Sequence, residues 1–336
     1  MAETVSTACC IAGGGPAGLM AGYLLARAGI DVVVLEKHAD FLRDFRGDTI
    51  HPSTMEVMHE LGLLDDFLKL PHQRVPDLVG QFGATGIRLA DFSHLPVKAP
   101  YIAMMPQWDF LDFLAGRAKA FPNFRLLMRT EATGLKRSGE RVTGVTARGP
   151  EGAIEIETPL TIAADGRASA LREAADLPLD DFGAPMDVLW FRLSRKPDDT
   201  DQTQGRFDAG RIFIMLNRGD YWQCAYVIPK GTNDKIRAAG LPAFRDGLRR
   251  QLPMEGTRAD ELTDWDQVKL LVVQVNRLRK WWLPGFLCIG DAAHAMSPVG
   301  GVGVNLAVQD AVAAANLLAG PLSARSLTNA HLAAVQ

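Results

Sequence analysis

The sequence predicts a mixed α/β (α+β) fold that combines an N-terminal parallel βαβ unit with strand-rich segments inserted further along the chain. The first observation is the order of an apolar run, a glycine-rich turn, a helical pattern and a second apolar run within residues 7–35. The second is a pair of blocks, residues 78–105 and 188–229, that are rich in strand-forming residues and turn glycines. A chain of 336 residues has room for two domains of ordinary size.

Each element of the βαβ unit follows from its residues. Thr7–Ala12 and the β-branched run Asp31–Leu35 predict two buried strands, and Pro16–Ala28 predicts the helix between them. Apolar spacing predicts further helices along the chain, with strands between them. These later helices are Thr54–Leu70, Trp108–Ala120, Ser169–Ala175, Asn233–Leu252 and Val304–Leu318, and strands are predicted within 125–164 and at Phe286–Ile289.

Composition argues against several classes of protein. The net charge is −3, from 36 basic and 39 acidic residues, so no basic excess favours nucleic acid as a partner. Residues 4–26 carry no charge, but glycines and a proline interrupt them, and we expect no integral membrane segment. The cysteines have no metal-binding spacing and suit reduced thiols, which predicts a cytoplasmic protein without a metal site. They are Cys9, Cys10, Cys224 and Cys288.

A glycine motif, Gly13-x-Gly15-x-x-Gly18, closes the first strand and opens the first helix. Gly13 permits a tight turn, Gly15 lets a pyrophosphate approach the backbone, and Gly18 lets the helix pack on the strand. Glu36 ends the second strand, where its carboxylate would accept from the ribose hydroxyls of FAD or NAD and repel the 2′-phosphate of NADP. The segment predicts a Rossmann-like dinucleotide site with contacts from Gly13, Gly15, Pro16, Ala17, Gly18, Glu36 and Lys37.

A second glycine-rich segment follows a predicted strand near the end of the sequence. Gly290-Asp291 ends the strand, and residues 298–305 read Pro-Val-Gly-Gly-Val-Gly-Val-Asn before the last long helix. A carboxylate at such a turn can bind a polyol hydroxyl, and the helix N-terminus can stabilise negative charge on a planar ring. Both features suit the ribityl chain and ring of FAD. No carboxylate is evidently paired with His294 in the sequence, and Asp310 is expected to play a structural part within the helix.

A third candidate segment is Asp165-Gly166-x-x-Ser169-x-Leu171-Arg172, which follows a predicted strand at 160–164. Ser169 is expected to cap the N-terminus of a short helix. Taken alone, the pattern is typical of a capped helix. Taken in order, the three segments resemble those of the class A flavoprotein aromatic hydroxylases, the family typified by para-hydroxybenzoate hydroxylase, and the resemblance covers nearly the whole chain.

The resemblance implies a Rossmann-like FAD-binding domain of residues 1–75, 103–180 and 277–336 with an inserted, strand-rich substrate domain of residues 76–102 and 181–276. It implies that the Asp165 segment serves both FAD and the nicotinamide donor. Arg46 and Gln107 fall where members of the family place residues that contact FAD. The contacts implied for the second glycine-rich segment are Gly290, Asp291, Pro298, Gly301, Gly303, Val304 and Asn305, with Pro298 and Gly301 near the flavin ring.

Two departures from the family pattern stand out. Many members have Gln between the last two glycines of the loop, where this sequence has Val302. Members also usually continue for some tens of residues beyond the position of Gln336, so we expect either an incomplete sequence or a different substrate lid.

The function implied by the resemblance is that of an FAD-dependent monooxygenase. NADPH or NADH would bind transiently and reduce FAD, and O₂ would then form a flavin C4a-hydroperoxide. This species would transfer one oxygen atom to an aromatic, phenolic or polycyclic small molecule. Because the flavin carries the chemistry, no catalytic side chain is assigned and no protein nucleophile is expected.

Other functions fit parts of the same pattern. A halogenase or a double-bond reductase would use the same flavin scaffold, and a plain NAD dehydrogenase would need only the first motif. A non-catalytic flavin-binding sensor would need no turnover at all.

The substrate pocket is expected on the strands Arg211–Leu216 and Tyr221–Ile228, whose alternating side chains are mainly apolar or aromatic, with Gln223 the exception. Arg218 lies in the connecting turn, where we expect it to be solvated. Without a carboxylate anchor, these strands favour a bulky, mostly apolar aromatic substrate over a small hydroxybenzoate.

Overall fold

The computed structural model describes residues 3–42, 49–83, 85–208, 211–252, 254 and 256–336. The chain divides into two compact units. The first comprises Met1–Leu70, Pro106–Phe182 and Gln274–Gln336, and the second comprises Pro71–Met105 and Gly183–Val273. Each unit has its own sheets and its own apolar core, and the predicted mixed α/β class is confirmed.

The described helices and strands are numbered here in chain order. The helices are α1 (Pro16–Arg27), α2 (Pro52–Glu60), α3 (Leu64–Phe67), α4 (Gln107–Ala118), α5 (Ala170–Ala174), α6 (Asn233–Ala238), α7 (Leu241–Arg249), α8 (Gly303–Ser323) and α9 (Asn329–Val335). The strands are β1 (Glu3–Ser6), β2 (Cys9–Ala12), β3 (Val32–Glu36), β4 (Thr49–Ile50), β5 (Gln73–Val75), β6 (Asp77–Phe82), β7 (Thr85–Asp91), β8 (Ile102–Met104), β9 (Phe124–Met128), β10 (Glu131–Ser138), β11 (Arg141–Gly149), β12 (Gly152–Glu157), β13 (Thr161–Ala163), β14 (Leu179–Asp181), β15 (Met186–Ser194), β16 (Gln204–Asp208), β17 (Arg211–Asn217), β18 (Tyr221–Pro229), β19 (Lys269–Leu271), β20 (Asn276–Leu278), β21 (Trp282–Leu283), β22 (Phe286–Cys288) and β23 (His294–Ala295).

A six-stranded sheet in the order β21-β22-β13-β2-β3-β9 forms the centre of the first unit. All of its pairings are parallel except that of β21 with β22. Every residue of β2 and β3 is buried, as expected for a parallel sheet with both faces covered. Helix α1 connects these two strands and packs against α4 and α8. The carboxyl ends of β2, β3, β13 and β22 therefore meet at one edge of the sheet, which is where ligands bind in sheets of this kind.

Two smaller sheets complete the first unit. One has the order β1-β12-β11-β10, and the other is the antiparallel sheet β14-β20-β23. Strand β23 is short, but it continues directly from the turn that follows β22 and so holds that turn against β20.

Two of the predicted single helices are wrong, because each is divided in the structure. The predicted helix Thr54–Leu70 breaks into α2 and α3 at Gly62, where φ is +74°. The predicted helix Asn233–Leu252 breaks into α6 and α7 at Gly240, where φ is +89°. A positive φ ends an α-helix, and the apolar spacing that continues past each glycine conceals the break.

Helix α8 is longer than its sequence pattern predicts. Together with the turn before it, Val299–Ser323 is long and apolar enough to cross a membrane by length and composition alone, in the part of the chain that the structure describes. Nearly half of its most apolar stretch is buried, and the helix packs along α1. These contacts are typical of a core helix of the six-stranded domain.

The second unit is built on the sheet β19-β15-β18-β17-β16-β6-β7, antiparallel except for the pairing of β16 with β6. One face is covered by α7 and forms a closed core, in which Phe213, Met215 and Trp222 pack near Phe244. The opposite face carries the alternate residues of the same strands. Its apolar members include Trp190, Ile212, Ile214 and Leu216, which are buried or half-buried.

Arg218 and Gln223 interrupt this second face with polar groups. Gln223 is buried in β18, and its Oε1 accepts a hydrogen bond from Nε of Arg218 at 3.3 Å. The expectation that Arg218 is solvated is therefore wrong. Its guanidinium folds back from the turn because the buried amide of Gln223 offers an acceptor.

A buried ion pair ties the loop after β15 to the core of the second unit. The Asp199 carboxylate accepts from both terminal nitrogens of Arg258, from Nε1 of Trp222 at 3.0 Å and from the backbone N–H of Lys196. The side chains of Asp199 and Arg258 are 8% and 4% exposed. The hydrogen bonds from Arg258 hold the pKa of Asp199 well below its usual range.

We expect Asp199→Asn to lower the free energy of unfolding of the second unit by about 3 kcal/mol, because it removes the carboxylate from a buried guanidinium. Since the pKa of Asp199 is lowered in the folded protein, the stabilisation is present above the ordinary pKa of an aspartate, about 4, and is lost as the pH falls through the folded-state pKa. Urea unfolding followed by tryptophan fluorescence at neutral and acid pH measures both effects.

Asp66→Asn is the control, since Asp66 pairs with Lys69 and Arg117 at the surface and its side chain is 44% exposed. Exposed pairs contribute little, and this variant should unfold like the wild type. An Asp199→Asn protein that unfolded at the wild-type urea concentration would contradict the assignment of Asp199 to a stabilising pair.

Candidate functional site

The first glycine motif forms the turn between β2 and α1, and each glycine in it has a distinct steric reason. At Gly13, where φ is +109°, a Cβ would lie 2.3 Å from the carbonyl oxygen of Ala164. At Gly18 a Cβ would lie 1.9 Å from the carbonyl oxygen of Gly13, so the helix packs directly on the turn. At Gly15, by contrast, no heavy atom of the described residues, its chain neighbours apart, lies within 4 Å of the Cβ position. This open space beside the helix N-terminus fits the close approach of a pyrophosphate.

Glu36 lies at the end of β3, beside the glycine turn. Its side chain is buried, and its two carboxylate oxygens accept from the backbone N–H groups of Gly14, at 3.0 Å, and His38, at 2.9 Å. These bonds fix the orientation of the carboxylate. A carboxylate can accept more than two hydrogen bonds, so the arrangement is compatible with ribose hydroxyls as further donors. Lys37, which follows, is exposed.

The Asp165 segment lies against the same turn. A Cβ on Gly13 would lie 2.9 Å from the backbone nitrogen of Asp165. The Asp165 carboxylate accepts from the hydroxyl of Ser169 at 2.5 Å and from the N–H of Leu171 at 3.3 Å. Burial raises the pKa of Asp165, while these hydrogen bonds oppose the increase. Ser169 accepts in turn from the N–H of Arg172, which confirms it as the cap of α5.

Two arginines link the Asp165 segment to the Gly290-Asp291 turn. Nε of Arg167 lies 2.9 Å from a carboxylate oxygen of Asp291 in an ion pair that is about one-third exposed. The guanidinium of Arg172 donates to the carbonyl of Ala292 at 3.1 Å and to that of Arg167 at 2.6 Å. Gly290 also lies against α1, since its Cβ would be 3.0 Å from that of Ala17. The three segments singled out in the sequence therefore meet at the carboxyl edge of the sheet.

Asn305 holds the glycine loop before α8 against the start of α2. Its side chain is 1% exposed, and its Oδ1 accepts from the N–H of His51 at 2.8 Å and from the hydroxyl of Thr54 at 2.7 Å. Its Nδ2 donates to the carbonyls of Thr49 and Gly301. A Cβ on Gly301 would lie 2.2 Å from Oγ1 of Thr49, so glycine is required there. Asn305 thus shapes the loop, and its contact with FAD stays a prediction.

The remaining residues expected at the site lie in different settings. Gly303 is the first residue of α8, Val304 beside it is buried, and Val302 occupies the N-cap position. Pro298 precedes the 3₁₀ turn Val299–Gly301. Gln107 is the half-buried first residue of α4. Arg46 lies outside the described residues.

The structure adds one pair that sequence reasoning missed. A carboxylate oxygen of Asp310 in α8 lies 2.7 Å from Nε2 of His294 and accepts from the N–H of Gly290, also at 2.7 Å. The expectation that His294 has no paired carboxylate is wrong. No local signal in the sequence indicates this pair, because it depends on the packing of α8 against the turn. Ala307, one helical turn before Asp310, has its Cβ 3.6 Å from the Cβ position of Gly290.

A family model described as FAD binding domain matches residues 6–331 of the chain. The chain belongs to this FAD-binding family. The candidate site is compatible with FAD, because it has open space at Gly15 and the carboxylates of Glu36 and Asp291 at the edge of the sheet. The predictions of FAD as cofactor and of membership in the FAD-dependent aromatic hydroxylases are confirmed.

Two curated members of the family come from Streptomyces rimosus. The 6-methylpretetramide 4-monooxygenase is 31% identical over 339 residues, an alignment that covers 99% of this chain and 80% of that protein. The 12-dehydrotetracycline 5-monooxygenase/anhydrotetracycline 6-monooxygenase is 29% identical over 90% of this chain, which spans only 60% of that relative's length. The predicted enzyme class, an FAD-dependent monooxygenase, is confirmed.

A solved structure agrees at the level of the fold. The structure of PqsL, a probable FAD-dependent monooxygenase from Pseudomonas aeruginosa, has a TM-score of 0.82 and 22% identity, and the match covers 98% of this chain and 91% of that one.

We expect Gly15→Val to abolish FAD binding while the protein still folds, because its Cβ meets no described residue outside its chain neighbours and the side chain fills the space beside the helix N-terminus. Visible flavin absorbance after reconstitution with FAD measures the loss, and circular dichroism reports the fold.

Gly116→Val is the matched control, since Gly116 lies within α4 and, its own helix and chain neighbours apart, no atom in the described part of the chain lies within 4 Å of its Cβ position. This variant should fold and keep its flavin. Normal FAD content in Gly15→Val would show that the phosphate site lies elsewhere.

Proposed function

We propose that this monooxygenase binds FAD along the carboxyl edge of the six-stranded sheet and hydroxylates a bulky phenolic, polycyclic aromatic compound at the expense of NADPH or NADH. The observation that carries the proposal is the hydrogen-bonded junction of the glycine turn, the Asp165 segment and the Gly290-Asp291 turn at that edge. The residue roles that follow are part of the same proposal.

The residues present suit the successive parts of FAD. Glu36 would accept from the adenosine ribose, and the turn of Gly13, Gly15, Pro16, Ala17 and Gly18 would bind the pyrophosphate through its N–H groups and the α1 dipole. Asp291 would accept from a hydroxyl of the ribityl chain, with Arg167 paired to the same carboxylate. The N-terminus of α8 at Gly303 would stabilise negative charge on the flavin ring.

Bound FAD supplies the redox chemistry, since it takes electrons from a nicotinamide and activates O₂ for the transfer of one oxygen atom. The protein's part is to orient the cofactor and to exclude water from the reacting region. The Asp165 segment carries two arginines, Arg167 and Arg172, and we assign to it the additional role of receiving the transient nicotinamide donor, as its resemblance to the family motif implies.

We assign substrate binding to the second unit. The face of its large sheet opposite α7 carries Trp190, Ile212, Ile214 and Leu216, with Gln223 and Arg218 as polar groups beside them. Trp190, Ile214 and Leu216 also pack with Val75, Ile102 and Met104, so this face is the wall of an apolar cluster. An apolar face with an occasional hydrogen-bonding group suits an extended aromatic molecule better than a small carboxylate. The named reactions of the relatives on 6-methylpretetramide and anhydrotetracycline support this choice.

A cytoplasmic location completes the proposal. The four cysteines are all buried and unpaired by disulfides. Reduced, buried thiols are typical of proteins that fold in a reducing compartment.

Halogenation on the same scaffold is the alternative that the fold alone does not exclude. It differs in the product, which would gain a halogen atom rather than an oxygen atom, so product mass separates the two reactions.

We expect neutral polycyclic phenols to stimulate NADPH or NADH oxidation by the FAD-loaded protein more strongly than hydroxybenzoates do, because the proposed substrate face is mainly apolar and its Arg218 already donates to Gln223. Nicotinamide absorbance under air and product mass measure rate and chemistry. The control is the same screen without O₂, in which the flavin should be reduced without product.

If a simple hydroxybenzoate were hydroxylated with one product formed for each nicotinamide oxidised, the proposed substrate class would be wrong. A halogenated product in the presence of halide would replace the hydroxylase proposal by the alternative. FAD-loaded protein that consumes no nicotinamide with any compound would favour a sensor.

A further inference from the structure

The Gly290–His294 turn is held at both ends by one oxygen atom. Oδ2 of Asp310 accepts from the N–H of Gly290 and lies 2.7 Å from Nε2 of His294, so the residue that opens the turn and the residue that closes it share a partner. Asp310 and His294 are 14% and 18% exposed. Hydrogen bonds to a charged group at this degree of burial are stronger than those between neutral groups.

The middle of the turn is fixed from other elements. The carbonyl of Ala292 accepts from Arg172, and the carbonyl of Ala293 accepts from the N–H of Leu278 in β20 at 2.8 Å. The N–H of Ala293 closes the turn on the carbonyl of Gly290, where φ is +59°. The turn is thus clamped by β20, α5 and α8 while the side chain of Asp291 stays one-third exposed.

We propose that Asp310 and His294 are positioning residues that together hold the Gly290–His294 turn in the one shape that aims Asp291 at the ribityl chain of FAD. The inference rests on the proposed FAD site and adds two residues to it that do not themselves touch the cofactor. Its physical basis is preorganisation, because a turn already held in its binding shape loses less entropy when the ligand binds.

The charges around His294 give the pair a measurable signature. Three charged groups face His294: Asp310 from α8, Asp291 from the same turn and Arg277 from the adjacent strand β20. The centroid of the Trp281 ring lies 5.0 Å from that of the imidazole. Burial lowers the pKa of His294, but the hydrogen bond and charge of Asp310, with help from Asp291, outweigh burial and leave the pKa above its ordinary value.

The sign of the pH effect follows from that raised pKa. A histidine whose pKa is raised in the native arrangement stabilises it fully below its ordinary pKa, about 6.5, and the stabilisation is lost as the pH rises through the raised value. FAD affinity of the wild-type protein should therefore fall as the pH rises from below about 6.5 through that raised pKa, and this pH dependence should depend on both residues.

The test is a titration of apoprotein with FAD, followed by flavin fluorescence across that pH range, for Asp310→Asn, His294→Gln and the double variant. We expect Asp310→Asn to weaken FAD binding by about tenfold at pH 6. We expect each single variant to lose the wild-type pH dependence, and the double variant to bind no more weakly than Asp310→Asn. Thermal unfolding of each apoprotein accompanies the titration.

Asp187→Asn is the matched control. Asp187 is a buried carboxylate in the second unit, where it accepts from Lys230 and from the N–H groups of Gly231 and Val273. This variant should lower the unfolding temperature but leave FAD affinity and its pH dependence unchanged. Should Asp310→Asn fail to fold, His294→Gln still tests the proposal through the pH profile.

The outcomes separate this inference from the proposed function. A wild-type protein that binds no FAD overturns the proposed site itself. Wild-type protein that binds FAD, together with folded variants that bind it with the wild-type affinity and pH profile, overturns only the positioning role. A loss of affinity in Asp187→Asn as large as that in Asp310→Asn also overturns it, since the effect would then be one of general stability.

Discussion

The parallel register of four strands is the constraint on which the site depends. Ala12, Leu35, Ala163 and Cys288 lie side by side near the ends of β2, β3, β13 and β22, so the chain leaves all four strands at the same edge. The turns that follow these strands are closely packed, and at Gly13 the backbone contacts the backbone of Ala164 and Asp165 directly. The turns can coexist because glycine stands at the points of contact and because arginines bridge the wider gaps.

Features that depend on neighbours along the chain are predictable from the sequence. The βαβ unit, the glycine turn and the Ser169 cap require only short-range spacing and residue type, and the structure contains all three. The breaks at Gly62 and Gly240 were missed for a related reason. Apolar spacing continues on both sides of each glycine and reports which residues are buried, whereas the positive φ that ends the helix leaves no trace in that spacing.

Features that depend on how distant segments pack are not predictable in the same way. The Arg167–Asp291 pair joins residues 124 positions apart, and the Asp310–His294 pair requires α8 to fold back over the turn before it. No local pattern specifies either contact. Arg218 in the second unit is another example. A polar turn suggests that its side chain is solvated, whereas the register of β17 with β18 places it next to Gln223.

The buried cysteines have a consequence for an enzyme that handles oxygen. Cys10 lies in β2 and Cys288 in β22, the two strands that flank β13 in the six-stranded sheet of the first unit, and both are fully buried. Burial raises the pKa of Cys10 to about 12 and raises that of Cys288 as well. Peroxide attacks the thiolate rather than the thiol. Hydrogen peroxide released when oxygen activation outpaces substrate oxidation would therefore meet these two sulfurs as buried, protonated thiols, the form that it oxidises poorly.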